Sequence, residues 1–173
     1  MKNISLPAEE TSKALKKLLE AAKVSTNEEQ LKINAERIIE KLCKKLNIFW
    51  NPYTYEYRLN YNNYRIDAIH GSTIIEYESP RSFNASENAQ LRHARKQAEE
   101  YAVLLSQEEG RQINRYSLIA WDGETITFGY ILNNKFIWEP ARQLDELCLN
   151  RLLSLISDGG RPLVSPLLLK QFI

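Results

Sequence analysis

The chain has 173 residues, 43% hydrophobic and 26% charged, enough for one domain with a substantial core. Its 23 basic and 22 acidic residues leave a formal net charge of +1, so any site for nucleic acid or an anionic membrane has to be a local patch. Cys43 and Cys148 lie far apart without CxxC spacing, the first residues hold no apolar signal segment, and no apolar run approaches a membrane span; these point away from a zinc knuckle, a disulfide framework and a membrane, and toward the cytoplasm.

Residues 1–25 read as an accessory helix, with Ser5 as cap, Pro7 near the first turn and a narrow stripe of Leu15, Leu18 and Leu19 to dock on another surface. The main domain is expected over 26–173. Its first helix opens on a capping box, Thr26 with Glu29, and carries Leu31, Ala35, Ile38, Ile39 and Leu42 at helical spacing until Asn47. Strands are predicted over 53–59, 64–70 and 73–78. Asn60 to Asn63 supplies the first turn, Gly71-Ser72 a two-residue type II′ turn, and Pro80 the stop. A helix follows over 86–107, with Ala94, Ala98, Tyr101, Ala102 and Leu105 on its apolar face. Strands over 116–121, 125–132 and 135–138 are joined by Asp122-Gly123 and Asn133-Asn134, and a last helix spans 141–157 before Gly159-Gly160 and Pro162. The order α, βββ, α, βββ, α predicts an α/β chain of the α+β kind. The apolar ending Pro166-Leu167-Leu168-Leu169 to Ile173 suggests a chain that continues into something longer.

The chemistry concentrates in Arg65-Ile66-Asp67 to Glu76-Tyr77-Glu78. With Gly71-Ser72 as the loop, Asp67 lies directly opposite Glu76 and Arg65 opposite Glu78, and alternation puts all four on one face. Like charges set face to face in a sheet are destabilising, and Arg65 offsets only one of them. Hard oxygen ligands of this kind suit Mg²⁺, Mn²⁺ or Ca²⁺, while ordinary surface charges on a solvent-facing pair are the alternative. On the following helix His93, Gln97 and Tyr101 form one polar stripe at four-residue spacing, and Arg81, Arg92, Arg95 and Lys96 make a candidate phosphate-contact patch. His70 falls on the face opposite Asp67 and reads as structural. Asp122 is a turn residue first, Ser79 and Ser82 lack triad partners, and no glycine-rich phosphate loop is present.

Asp67, then Glu76-Tyr77-Glu78, then Gln97-x-x-x-Tyr101, set on helix, three strands, helix and strand, resembles the PD-(D/E)XK nuclease superfamily, the restriction-endonuclease-like fold. The phrase Ile74 to Pro80, with His93, the Gln97–Tyr101 pair and Trp121-Asp122-Gly123, is also similar to the N-terminal nuclease-type domain of large restriction–modification polypeptides. The resemblance implies a restriction-endonuclease-like core, a mixed central sheet flanked by helices in the order αβββαβ plus a C-terminal hairpin and helix. It also implies a Mg²⁺- or Mn²⁺-dependent DNA endonuclease of type I or type II restriction kind, working with methyltransferase, helicase or specificity domains. It makes Asp67 and Glu76 the metal-binding acids, and Gln97 with Tyr101 the auxiliary pair. Glu36 or Glu40 matches the optional first-helix acid, Glu40 lying one turn further along the same stripe. Glu78 stands where the family's lysine usually stands. It either joins the metal shell or acts as base, or a cation from Lys96, Arg95 or Arg65 replaces the lysine, or the domain is inactive and binds DNA or docks partners. An RNA nuclease on the same fold is a further alternative.

Overall fold

The structure is a computed structural model and describes residues 6–50, 55–58, 65–83 and 87–159. The predicted Ser5 cap, the turn at Asn60–Asn63 and the apolar ending lie outside the described residues.

The described elements are α1 (Ala8–Val24), α2 (Glu28–Lys45), β1 (Tyr55–Arg58), β2 (Arg65–His70), β3 (Thr73–Tyr77), α3 (Ala89–Glu109), a 3₁₀ turn (Ile113–Arg115), β4 (Ser117–Trp121), β5 (Thr125–Leu132), β6 (Lys135–Trp138), β7 (Arg142–Gln143) and α4 (Glu146–Gly159). The strands form one mixed sheet in the order β1-β2-β3-β4-β5-β6, with β7 also paired to β5. Only β3 and β4 run parallel among these pairs, joined by the α3 crossover that a parallel connection requires.

Helices cover both faces of the sheet. Leu18 and Ala22 of α1, Leu31 and Ile39 of α2, and Leu149 and Leu153 of α4 pack with Ala68, Ile75, Tyr77 and Trp121 on one face. Ala98, Tyr101 and Leu105 of α3 pack with Ile66, Ile69, Ile74 and Leu118 on the other. So α1 shares the core of the rest of the chain, and its buried line is Ala14, Leu18, Ala21 and Ala22, with Leu15 and Leu19 only partly covered. The Asp122-Gly123 turn sits beneath this helix pair: Gly123 has φ 93, and a Cβ there would lie 2.6 Å from the Ala22 Cβ. Asp122 holds the turn from inside, its carboxylate accepting from the N–H groups of Phe83, Glu124 and Thr125.

Local expectations hold at the hairpins. Gly71 has φ 64 while Ser72 is not among the positive-φ residues, as the type II′ turn requires, and Ala68, Ile69 and His70 face Ile75, Ile74 and Thr73. Asn133 and Asn134 both take positive φ, 50 and 59, and the β5–β6 hairpin follows. Three helix starts differ from the sequence reading. α3 opens at Ala89 rather than at 86, because Asn88 caps it, its Oδ1 accepting from the Leu91 N–H at 2.9 Å. The capping box of α2 is Asn27 with Gln30, one residue later than Thr26 with Glu29: Asn27 Oδ1 accepts from the Gln30 N–H at 2.9 Å, and Gln30 Oε1 accepts from the Thr26 N–H at 3.0 Å. The last helix begins at Glu146 rather than 141, because Arg142 and Gln143 pair with β5 and the Asp145 carboxylate caps the Cys148 N–H at 2.8 Å.

Candidate functional site

β3 is buried along its whole length because it lies inside the sheet with helices on both faces, and such strands are usually apolar throughout. Glu76 is the exception in Thr-Ile-Ile-Glu-Tyr, and it is 5% exposed. Ile75 and Tyr77 face α1, α2 and α4, so alternation turns Glu76 with Ile74 toward α3. The β2–β3 register, extended one pair, brings Asp67 to the same face opposite Glu76. The ladder changes there: the Tyr77 N–H donates to Asp67 Oδ2 at 3.0 Å, so a side chain closes the strand pair.

The carboxyls of Asp67, Glu76 and Glu78 all sit above their usual range, and burial is the leading cause for each. For Glu76 the neighbouring carboxylates of Asp67, Glu28 and Glu78 add to the effect, and the shift is large. Among the described residues Glu76 Oε2 is buried without a hydrogen-bond partner. Glu78, half-buried, follows β3 with its N–H on the Trp121 carbonyl at 3.0 Å. Its carboxyl is also raised by Asp67 and Asp122 and pulled down by His93 of α3.

α2 closes the site from its first turns. Lys32 has a side chain only 6% exposed, with Nζ 3.3 Å from Asp67 Oδ1 and 2.8 Å from Glu29 Oε2. Burial disfavours its charge, but Glu29 and Asp67 more than compensate, and its proton affinity is raised. Glu28, on the same helix face one turn earlier, is raised by burial and then by Asp67 and Glu78. Neither residue was singled out by the sequence reading. The signal available was the stripe Glu28, Lys32 and Glu36, polar groups at four-residue spacing beside the buried Leu31, Ala35 and Ile39.

α3 supplies the opposite wall. Gln97 hydrogen-bonds the Tyr101 side chain, and the Tyr101 hydroxyl is pushed up by burial and by the charges of Glu76 and Asp67. Tyr101 thus lies within electrostatic reach of Asp67 and Glu76 and carries Gln97 with it, while Glu78 feels the charges of Asp67 and His93.

Other candidates lie elsewhere. Glu40 is partly exposed and pairs with Lys44 at 2.7 Å on the outside of α2, so it is not an acid of this cluster. Glu36 points into the core between His70 and Tyr77. None of the three proposed replacement cations is a leading influence on the acids; Lys32 holds that position at Asp67 and His93 at Glu78. Arg65 is exposed and pairs in register with Arg58 of β1. Lys96 is exposed and 3.8 Å from Glu100. Arg95 is drawn away into a structural clamp: it donates to Glu87, Thr127 Oγ1 and the Glu139 carbonyl, and lies 5.5 Å from the Trp138 ring centre. The phosphate patch thus loses Arg95 and keeps Arg81, Arg92 and Lys96, all exposed, with Arg81 held in the left-handed region at φ 64.

Among the described residues no group of three or more His, Cys, Asp or Glu is arranged to hold a metal ion by itself. The donor chemistry at Asp67 and Glu76 still fits a hard divalent cation, because Mg²⁺ commonly takes one or two carboxylates from the protein and fills its shell with water and substrate phosphate. The buried, unpartnered Glu76 Oε2 is the observation that supports the fit. No helix among the described residues is long and apolar enough to cross a membrane. Comparison of the chain with protein-family models, with curated proteins and with solved structures returns no significant match.

Proposed function

We propose that the chain is a metal-dependent DNA endonuclease domain of restriction-endonuclease-like type, hydrolysing phosphodiester bonds within a restriction–modification or defence system, beside methyltransferase, helicase or specificity domains. The observation that carries the reading is the mutually repelling acid set of buried Glu76, largely buried Asp67 and half-buried Glu78, with Lys32 on Asp67 and the Gln97–Tyr101 pair alongside. Burying several acids together is costly, and such perturbed groups cluster at sites that bind a ligand or run a reaction.

Asp67 and Glu76 would hold Mg²⁺ or Mn²⁺, which when bound polarises a phosphoryl oxygen and provides a nucleophile at neutral pH. Lys32 sets a positive charge beside Asp67 and takes over the charge-offsetting role that Glu78, standing at the motif's lysine position, cannot perform. Glu78, whose proton affinity is raised by burial, would act as the base beside the held ion. Gln97, tied to Tyr101, orients the site from α3, and exposed Arg81, Arg92 and Lys96 contact the DNA backbone. The near-neutral net charge makes binding by this domain alone weak and salt-sensitive.

Calorimetric titration of Mn²⁺ and Mg²⁺ into the wild type and Asp67→Asn, followed by plasmid-nicking assays, tests the reading. Binding and nicking are expected in the wild type and not in the variant. A folded wild type that binds neither ion, even with duplex DNA present, overturns the endonuclease. That result would favour an inactive nuclease-fold domain that binds DNA or docks partners, a reading supported by one feature: Lys32 already neutralises Asp67 as an ion pair.

A further inference from the structure

Behind the acid set lies a buried polar chain that the proposed chemistry does not use. Glu36 of α2 is fully buried, as is Tyr77, and His70 is 3% exposed. The Tyr77 hydroxyl donates to Glu36 Oε1 at 2.7 Å. His70 Nε2 lies 2.9 Å from Glu36 Oε2, so the ring N–H is the donor to this carboxylate. The His70 ring in turn rests against Trp50, with ring centres 4.4 Å apart. Both oxygens of one buried carboxylate thus tie α2 to the last residue of β2 and the last residue of β3. Tyr77 carries the chain onward, for its own N–H donates to Asp67 Oδ2.

We infer that Glu36 is a positioning residue for Asp67, acting through the clamped Tyr77. A buried carboxylate is a poor source of stability compared with an apolar residue of the same volume, so its return has to be sought in geometry. Asp67 has one oxygen on Lys32 and the other on the Tyr77 N–H, and the first bond comes from a long flexible side chain. The second comes from backbone, and it is as firm as the position of residue 77. That position is set on one side by the parallel pairing of Tyr77 with Trp121 and on the other by the bond to Glu36. Groups that orient a metal-binding carboxylate in this way are worth about 10–100-fold in metal affinity. The inference rests on the nuclease reading only for what Asp67 does, not for how it is held.

The test uses the full chain as wild type, Tyr77→Phe, Glu36→Ala and Glu36→Gln. Tyr77→Phe removes a single oxygen and retains the ring in the core, so it reports even if Glu36→Ala fails to fold. Amide hydrogen exchange by NMR on the metal-free protein is expected to show about tenfold lower protection at Tyr77 in Tyr77→Phe, with the amides of Ile75 and Ile119 unchanged and the Asp67 carboxyl resonance shifted. Glu36→Gln, which can still meet the hydroxyl, recovers part of the effect. Mn²⁺ affinity is expected to fall by about 10-fold in the same order. Unchanged Tyr77 protection and Asp67 resonance in Tyr77→Phe, or a uniform loss across all core amides, overturns the inference. Absence of Mn²⁺ binding in the wild type overturns the metal reading instead and leaves the metal-free measurements to decide this one.

Discussion

Lys32→Met is the most informative single change in this molecule. It keeps the aliphatic stem that packs at the start of α2 and removes only the charge. The lost partners are unequal. Glu29 is 55% exposed, and an exposed i,i+3 pair is worth no more than about 0.5 kcal/mol. Asp67 has a side chain 13% exposed, beside Glu76, Glu28 and Glu78, and loses the strongest influence holding its proton affinity down. Removing one partner of a buried pair costs about 3–5 kcal/mol, and the remaining Tyr77 N–H on Asp67 places this case near about 3 kcal/mol. For a chain of this length that is roughly 6–12 °C in Tm. The cost depends on pH in a definite direction. Asp67 has a folded proton affinity already above its unfolded one, so its protonated form is favoured on folding and stability is lost as pH rises from the acid side. Without Lys32 the offset grows, so the deficit widens as pH rises from the acid side through the folded Asp67 titration. Thermal and urea denaturation of wild type, Lys32→Met, Asp67→Asn and the double variant form the cycle. The cost of Lys32→Met is expected to shrink by about 2 kcal/mol in the Asp67→Asn background. A cost below about 1 kcal/mol, or one that is equal in both backgrounds, would show that Lys32 does not serve the acids.

Other expectations follow from the same contacts. Glu76→Gln removes the most strongly perturbed carboxyl and should raise the stability of the metal-free protein at pH 8 by about 1 kcal/mol or more, while flattening the loss of stability with rising pH; denaturation curves at pH 5 and pH 8 with no such change would refute the burial argument. Gly123→Ala places a Cβ 2.6 Å from the Ala22 Cβ at a φ of 93, and a loss of at least about 2 kcal/mol is expected; a loss under about 0.5 kcal/mol would mean that α1 yields easily at this turn. Arg92→Ala should leave Tm within a degree or two and reduce the salt slope of DNA binding by about 1. Arg95→Ala should lower Tm, since it breaks a clamp onto Glu87, Thr127 and Glu139; the reverse assignment of the two effects would return Arg95 to the phosphate patch.

Much of this site is legible in local sequence. A two-residue turn at Gly71-Ser72 and strict alternation put Asp67 with Glu76 on one face, and four-residue spacing puts Gln97 over Tyr101, because turn geometry and the periods of strand and helix are properties of neighbouring residues. The same local rules mark His70 as facing away from Asp67, and it is found against Glu36 and Trp50. What tertiary structure decided is which charges meet these acids. Arg65, Arg95 and Lys96 were near in sequence, yet long basic side chains reach in several directions, and Arg95 found Glu87, Thr127 and Glu139 instead. Lys32 stands 35 residues from Asp67 and arrives because the first turns of α2 lie beside the middle of β2. Packing likewise sorted the acids of α2, directing Glu28 to the cluster, Glu36 into the core and Glu40 to the surface. Periodicity names the face on which a residue lies, whereas the partner across that face is settled by how distant elements bury their apolar stripes together.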